Sequence, residues 1–270
     1  MPQVRDINQS FWRSSELPWV ELRSTWASTH AYKLHQHTQL SLGAIVEGGT
    51  CCVINGSSYQ LQVGDIIVIN AGAPHSCNPV GLAPRSYHML YLDADWCQAT
   101  LGESLCPLFS TQPVIKDAVL FQQYLDIVSE IQRNDTRNIA TAIARLLHAI
   151  PGLQPTTTLP LRPSSRVLQQ RFLASPASPP TLDVLAQEIS LCKETLIRTF
   201  KQDTGLTPGS FLNITRIEYA KSLLREGKNI IDAGNDSGFA DQSHFHKTFV
   251  RYTAATPRQY ALSKSITDNI

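Results

Sequence analysis

The sequence has few of the features that mark membrane-bound or exported proteins. None of its apolar runs reaches the roughly 18 residues that a bilayer-spanning helix needs, and the first residues contain no apolar signal-peptide core. The chain has only six cysteines, and no two of them form a C-x-x-C pair. These absences predict a cytoplasmic protein with no membrane partner, whose cysteines are small buried apolar residues.

The sequence also lacks the usual marks of an enzyme and of a strongly basic nucleic-acid binder. It contains no glycine-rich phosphate loop, no Ser-His-Asp set and no catalytic-looking pair of carboxylates, and its formal net charge is only +1. The charge is uneven, because residues 1–164 carry 10 basic and 12 acidic side chains, whereas residues 165–270 carry 13 basic and 10 acidic ones. The sign of this difference favours the C-terminal part as the one that faces a polyanion.

Residues 17–92 have the pattern of a β domain. Short apolar or alternating runs are separated by turn residues throughout this region. Asn55-Gly56 lies between two such runs and predicts a hairpin with a type I′ turn, because both central residues of that turn need a positive φ. Many short strands with regular turns predict a closed barrel or a sandwich. Trp12, Trp19 and Trp26 either pack into its core or wall a ligand pocket.

Two amphipathic helices and a linker follow the β region. Apolar residues recur at helical spacing over 118–131 and 139–150. These helices either cover the core of the β domain or pair with those of a second copy of the chain. Residues 151–165 contain four prolines, which is typical of a linker. The sequence therefore predicts a sensor and dimerisation domain over 1–150, a linker over 151–165 and a second domain over 166–270.

The C-terminal part repeats one pattern of helix, tight turn and helix. A small residue in the first helix of each pair, Ala186 or Ala233, allows the second helix to cross closely, as a helix-turn-helix unit requires. The helix between the two pairs has about 18 residues and spans roughly 27 Å, of the order of the ~34 Å between successive major grooves on one DNA face. The helices are predicted over 166–173, 182–189, 193–204, 208–225, 229–237, 241–252 and 257–262.

The second helix of each pair presents polar side chains that suit the major groove of double-stranded DNA. An α-helix fits this groove, and side chains of these types bond base edges and phosphates. The candidate DNA-binding residues are Lys193, Glu194, Arg198 and Lys201 in the first unit and Gln242, Ser243, His246 and Lys247 in the second.

Several motifs occur together between residues 165 and 262. They are Leu182-x-x-Leu185-Ala186, Leu196-x-Arg198-x-Phe200-Lys201, Gly205-x-Thr207-Pro208, Arg216-x-x-x-Ala220-x-x-Leu223-Leu224, Gly238-Phe239-x-Asp241-Gln242-Ser243-His244-Phe245 and Thr256-Pro257-x-x-Tyr260. In this combination the segment resembles the AraC/XylS family of transcriptional regulators. The resemblance implies two helix-turn-helix units in one all-α domain, and it adds Ile197 and His244 to the positions that face bases or phosphates.

The chain departs from the family pattern at three places in the second unit. It has Asp232-Ala233-Gly234 where the family usually has Ile-Ala, Ala254 where a glycine usually precedes Thr-Pro, and Val250 where a basic residue is common. A glycine inside a helix costs about 1 kcal/mol relative to alanine. These departures predict a less stable second unit with a weaker grip on phosphate.

Three histidines of the β region are candidate ligand-binding residues. His35 and His37 lie two apart, so that on a strand both point to one face, and Gly64-Asp65 and Pro74-His75 follow. This order resembles the cupin pattern of the sensor domains that precede many AraC-type DNA-binding domains. The resemblance implies that His35, His37 and His75 line a pocket in the mouth of a cupin-like barrel, where small ligands bind.

The same histidines raise the question of a metal cofactor. Three histidines and an oxygen ligand suit zinc, iron or manganese, but the Glu that metal-binding cupins usually supply is absent from Thr38-Gln39-Leu40-Ser41. We therefore predict no cofactor, with a divalent metal on the three histidines as the alternative. His88 either joins them or is a hydrogen-bonded core residue, and we predict the core role.

Three hypotheses for function remain at this point. The one we favour is an α+β regulator with a cupin-like β-barrel and trailing helices, whose partners are double-stranded DNA, an unidentified small-molecule effector, a second copy of the chain and, for an activator, RNA polymerase. The second is a metal-dependent cupin dioxygenase or isomerase with a DNA-binding appendage, which the missing Glu disfavours. The third is a regulator that needs no ligand and carries a vestigial barrel.

Overall fold

The computed structural model describes residues 8–81, 83–102, 108–155 and 161–262. Residues 8–31 and 37–155 lie in one compact unit, and residues 32–36 and 161–261 lie in a second. The first unit contains strands β1 (Asn8–Arg13), β2 (Val20–Ser28), β3 (Leu40–Glu47), β4 (Thr50–Ile54), β5 (Ser57–Leu61), β6 (Ile66–Ile69), β7 (His75–Pro79), β8 (Arg85–Leu92), β9 (Leu108–Ser110), β10 (Val114–Ile115) and β11 (Leu153–Pro155), and helices α1 (Ala94–Thr100), α2 (Ala118–Gln132) and α3 (Ile139–Ala149). The second contains helices α4 (Pro163–Ala174), α5 (Leu182–Glu188), α6 (Lys193–Thr204), α7 (Pro208–Arg225), α8 (Ile230–Asp236), α9 (Gln242–Thr253) and α10 (Pro257–Ala261). None of the helices in these ranges combines the length and the apolar character needed to cross a membrane.

Two antiparallel sheets form the body of the first unit. Six strands pair in the order β1-β2-β8-β3-β6-β10, and three pair in the order β5-β4-β7. The turn between β4 and β5 has φ of 49° at Asn55 and 84° at Gly56, as the hairpin prediction requires. Among the described residues the strands do not close into one hydrogen-bonded ring, so the sandwich form of the prediction holds and the closed barrel does not. The α+β fold class, with a β domain before a helical one, is confirmed.

The alternation of side chains along the strands divides the apolar residues of this unit between two cores. Leu40 and Leu42 of β3 belong to a core shared with α2 and α3. Ile45 of β3 and Met89 of β8 lie in a different core, together with Cys52 from the smaller sheet. Since successive residues of a strand point to opposite faces, the large sheet has helices on one face and the small sheet on the other.

Tyr124 fixes α2 against the large sheet. Its side chain is fully buried, and its hydroxyl donates to the Leu42 carbonyl at 2.8 Å and accepts from the Leu90 amide at 3.2 Å. Burial raises the pKa of this phenol well above its ordinary value. Because α2 and α3 bury their apolar faces here, they cover the core of their own unit, which is the first of the two roles considered for them.

Trp12, Trp19 and His88 take structural positions in this unit. Trp12 and Trp19 pack against the core under the helices, and Trp19 stacks on Trp96 with ring centroids 3.6 Å apart. The His88 imidazole hydrogen-bonds the Ser24 hydroxyl at 2.8 Å and is largely buried, which lowers its pKa. The core role predicted for His88 is confirmed. Strand β1, which carries Trp12, is absent from the sequence prediction because Asn8–Arg13 has no clear alternation.

The prediction of buried cysteines is right for some positions and wrong for one. Cys52 and Cys97 are fully buried, and Cys51 and Cys77 are half-buried. Cys192 is exposed instead, because it occupies the cap position at the start of α6 rather than a core-facing turn. Cys106 lies outside the described residues.

The helices of the second unit follow the sequence prediction closely. The bounds of α6 and α7 are those predicted, and the others differ by one to three residues. Within the predicted linker, Leu153–Pro155 pairs with β9, and α4 already begins at Pro163. Proline is tolerated there because the first turn of a helix has no partner for its amide in any case.

The two helix-turn-helix units share a turn hydrogen bond but differ in turn length, with four residues between α5 and α6 and five between α8 and α9, and in their small residues. In the first turn the Leu191 amide donates to the Ala186 carbonyl, and in the second the Phe239 amide donates to the Gly234 carbonyl. The structural counterpart of Ala186 is therefore Gly234, not Ala233 as the sequence comparison assumed. A Cβ at Gly234 would lie 2.8 Å from the Phe245 ring, so glycine is what lets α9 approach α8.

Candidate DNA-binding helices and ligand site

Helix α6 carries the predicted DNA-facing residues of the first unit on its outer side. Thr181 caps α5 by accepting a hydrogen bond from the Val184 amide, and Leu196 and Phe200 anchor α6 in the core. The positions 194, 197, 198 and 201 follow helical spacing and share a face. Glu194, Arg198 and Lys201 are exposed and Ile197 is half-buried.

The charged side chains of α6 differ in whether they form hydrogen bonds and ion pairs within the protein. Lys193 donates to the Asp183 carboxylate on α5 at 2.8 Å, and this hydrogen bond raises the pKa of the Lys193 amine. Within the described residues, Arg198 and Lys201 make no hydrogen bond or ion pair. Their charges are therefore available to a polyanion, whereas that of Lys193 is shared with α5.

Helix α9 presents a second polar face of the same kind. Asp241 caps it by accepting a hydrogen bond from the His244 amide at 2.8 Å, and Phe245 and Phe249 anchor it in the core. The candidate residues Gln242, Ser243, His244, His246 and Lys247 are all exposed. Of these, His244 rests its ring edge-on against Phe239 at 5.3 Å.

Arg216 on α7 supports the second unit rather than facing DNA. Its guanidinium donates to the carbonyls of Pro176 and Ala177 at 2.9 and 3.3 Å, and burial lowers its pKa. A Cβ at Gly238, in the turn before α9, would lie 2.4 Å from that same Ala177 oxygen. The turn therefore packs directly on the chain that Arg216 holds in place.

Two of the three predicted ligand-site histidines, His37 and His75, come together in the first unit, whereas His35 belongs to the segment 32–36 that groups with the second. The rings of His37 and His75 meet edge to face with centroids 4.8 Å apart, and His37 also contacts the Tyr91 ring at 5.4 Å.

Backbone carbonyls select the tautomer of all three histidines. The Nδ1 atoms of His35, His37 and His75 lie 2.8, 3.1 and 2.9 Å from the carbonyl oxygens of Lys33, Gln39 and Ala73. Because a carbonyl oxygen only accepts, each Nδ1 donates, and Nε2 is the accepting nitrogen of the neutral ring. Such an arrangement is common for histidines that ligate metals, and it equally suits hydroxyl donors, as the Ser41 hydroxyl 3.3 Å from Nε2 of His37 illustrates.

Two buried arginines of the large sheet were not found from the sequence. Arg23 and Arg85 are 3% and 1% exposed, and both lie among the strands β2 and β8. The signal that could have identified Arg85 is the alternation of side chains along β8. Tyr87, Met89 and Tyr91 follow Arg85 at every second position, so the arginine belongs to the same inward-facing row.

Two family models match separate parts of the chain. A model of the AraC-like ligand binding domain matches residues 18–150, and a model of a helix-turn-helix domain matches residues 185–263. The HTH-type transcriptional activator RhaR of Escherichia coli O139:H28 is 28% identical over 247 residues, which is 84% of this chain and 86% of RhaR.

Solved structures of ToxT from Vibrio cholerae share the fold along nearly the whole chain. The structure of ToxT from strain O395 has a TM-score of 0.57 at 12% identity and covers 95% of this chain and 97% of its own. The structure of wild-type ToxT with bound unsaturated fatty acid, from strain SCE256, has a TM-score of 0.60 at 15% identity and covers 96% and 97%. With the ligand-binding model and the helix-turn-helix model matched in this order, the chain belongs to the AraC family of transcriptional regulators.

Proposed function

We propose that the chain reads double-stranded DNA with α6 and α9 in adjacent segments of the major groove, under the control of a small molecule bound in the first unit. The observation that carries the proposal is the pair of equivalent helices whose polar faces are exposed while their apolar faces are anchored by matching aromatic residues, Phe200 and Phe249. Helix α7 between the two units has 18 residues, or about 27 Å, which suits sites about one DNA turn apart.

Selection of DNA fragments from a random pool, at rising salt, tests this proposal. We expect a recovered sequence with two elements about 10 base pairs apart, because each unit occupies one groove segment. Binding should weaken with salt, since cations on the protein displace counterions from phosphate. Recovery of a single short element would contradict the role of α9, and binding without any sequence preference would contradict the proposal as a whole.

Cys192 offers a chemical reporter for the position of α6 on DNA. A hydrogen bond with the Thr195 hydroxyl, at 2.9 Å, lowers the pKa of the exposed Cys192 thiol, and thiolates react fastest with alkylating reagents. We expect iodoacetamide to modify Cys192 ahead of Cys51 and Cys77, and selected DNA to slow this reaction at Cys192 alone. Peptide mass spectrometry measures both rates, and an unchanged Cys192 rate on bound DNA would place α6 away from the groove.

The small molecule is proposed to bind between the sheets of the first unit, where His37 and His75 supply polar contacts. ToxT with a bound fatty acid has the same fold, which supports small-molecule control. Control requires that the ligand bind the active and inactive arrangements with different affinity. We propose that the chain binds its ligand without transforming it, which its membership of a family of transcriptional regulators supports.

Metal analysis distinguishes an organic ligand from a metal cofactor at the histidines. We expect protein purified without chelator to contain well below one divalent ion per chain, because Thr38-Gln39-Leu40-Ser41 supplies no carboxylate to complete the set. The measurement is elemental mass spectrometry of the wild type and His75→Ala. A stoichiometric zinc, iron or manganese content that His75→Ala abolishes would overturn this expectation and revive the metal alternative.

The remaining partners follow from the family. We propose that the protein acts in the cytoplasm, as a homodimer, and contacts RNA polymerase when it activates transcription, as the activator name of RhaR supports. Sedimentation of the full chain, with and without selected DNA, tests the dimer.

A further inference from the structure

Arg85 is a buried cation with unused hydrogen-bonding capacity. It begins β8 and is 1% exposed. Its Nη2 donates to the Cys77 carbonyl at 2.7 Å and to the His30 carbonyl at 3.4 Å. Its Nη1 is buried and has no hydrogen-bond partner. No carboxylate of the described residues lies within ion-pairing distance of this guanidinium.

A buried charged group of this kind destabilises the fold unless a counter-charge and hydrogen-bond acceptors pair with it. A guanidinium stays charged at every pH that proteins tolerate and offers five N–H donors. A buried charge normally has an ionic partner, because removing it from water is penalised far more than removing a neutral polar group. Two backbone carbonyls satisfy part of the hydrogen bonding of Arg85 and leave the charge uncompensated.

The acids nearest in sequence and sheet register already have partners. Glu21 accepts from the Arg13 guanidinium at 2.6 Å, and Glu47 accepts from the Ser86 hydroxyl at 2.8 Å. Burial lowers the pKa of His30, and the positive charges of Arg23 and Arg85 lower it further. Arg85 therefore adds positive charge to a part of the sheet in which no described carboxylate pairs with it.

The surroundings of Arg85 suit a small planar anion. Its guanidinium lies 5.4 Å from the centroid of the Tyr87 ring, and Tyr87 belongs with Met89 and Cys52 to the apolar core between the sheets. A carboxylate is planar and carries a single negative charge, so it matches one edge of a guanidinium in an apolar setting. A phosphate carries more charge and needs more donors than Nη1 supplies.

We propose that the effector carries a carboxylate and that this carboxylate binds the Nη1 side of Arg85 in the core between the sheets. The inference rests on the proposed function only in that a small molecule binds this unit. It adds the chemical class of that molecule and the residue that selects it. Neutral ligands of the same shape leave the buried charge unpaired and bind more weakly for that reason.

The test uses the smallest carboxylates, so that the unknown remainder of the effector does not matter. Thermal unfolding of the full chain is measured in sodium formate and acetate against sodium chloride at equal ionic strength, and in formamide and acetamide as neutral controls. We expect the two carboxylates to raise the Tm of the first unit by about 2 °C or more at saturation, and the amides and chloride to have no such effect.

Two variants assign the effect to Arg85. Arg85→Gln keeps donors for the Cys77 carbonyl but removes the charge, and we expect it to lose the response to formate. Arg145→Gln removes an exposed arginine from α3 and should keep the response in full. If Arg85→Gln does not fold, Arg85→Lys keeps the charge without the planar fork, and its response should be clearly smaller than that of the wild type.

Either of two results overturns the inference. One is a wild-type Tm that is the same in formate and in chloride, and the other is an equal gain in the wild type and both Arg85 variants. A response to inorganic phosphate that exceeds that to formate also overturns it. DNA binding is measured on the same samples, so that loss of the carboxylate response with intact sequence-specific binding separates this inference from the proposed function.

Discussion

Arg198→Ala is expected to weaken binding to the selected DNA by about 5- to 150-fold, the equivalent of roughly 1–3 kcal/mol for an arginine that contacts a base. Arg198 is exposed on α6 and makes no ion pair within the described residues, so its removal leaves the fold of the unit intact. The protein should discriminate less between base sequences at one of the two DNA elements only. The measurement is fluorescence anisotropy with the selected duplex and with duplexes changed in either element.

Lys247→Ala on α9 is expected to affect binding differently from Arg198→Ala. If Lys247 contacts a phosphate, its replacement should weaken binding to all DNA sequences by a similar factor and reduce the salt dependence by about one counterion. The control is Arg225→Ala at the end of α7, an exposed arginine outside both recognition helices. If Arg225→Ala weakens DNA binding as much as Arg198→Ala does, the total positive charge of the protein rather than α6 determines the affinity.

The helical domain could be predicted from sequence because its boundaries are fixed by local chemistry. Thr181, Asn229 and Asp241 each cap a helix with a side-chain oxygen, and Pro208 occupies the first position of α7. These signals act within four residues of the chain, so they are readable without the tertiary structure. The exposure of most candidate DNA-facing residues follows from the phase of each helix, and their contact with DNA stays a prediction.

The sheets and their site were less accessible to sequence reasoning. Strand β1 gains its conformation from pairing with β2 over six residues, a contact between segments that the local pattern does not encode. His37 and His75 lie side by side, while their role in ligand binding stays a prediction, and Arg85 was missed since burial of a lone arginine contradicts its usual preference for the surface. Residues that violate such preferences are often functional, which is the reason for proposing an anion site at Arg85.

Gly234 was interpreted from sequence as a weak point of the second unit, and the structure reverses that interpretation. Alanine is the better helix former by about 1 kcal/mol, yet a Cβ here meets the Phe245 ring at 2.8 and 3.0 Å. Overpacking of a core costs about 1–3 kcal/mol. We therefore expect Gly234→Ala to destabilise the second unit by about 1–2 kcal/mol and to weaken DNA binding, because α9 must shift.

The chain offers a matched control and a selective readout for this prediction. Gly209 lies in α7 with nothing within 4 Å of an added Cβ, so Gly209→Ala should be neutral or stabilising by up to about 1 kcal/mol. All four tryptophans lie in the first unit. Tryptophan fluorescence therefore follows that unit, while far-UV circular dichroism is dominated by the helices of the second, and only the latter transition should move in Gly234→Ala.

A double-mutant cycle with Phe245 tests the cause. The first helix-turn-helix unit combines Ala186 with Leu196 where the second combines Gly234 with Phe245, so the larger residue on the second helix accompanies the smaller residue on the first. Phe245→Leu alone should destabilise by leaving a cavity, but in the Gly234→Ala background it should cost at least about 1 kcal/mol less, because it removes the clash. Additive effects would show that the glycine is needed for a reason other than the close approach of α9. The size of the coupling measures how closely the two helices must pack to place the second recognition helix on DNA.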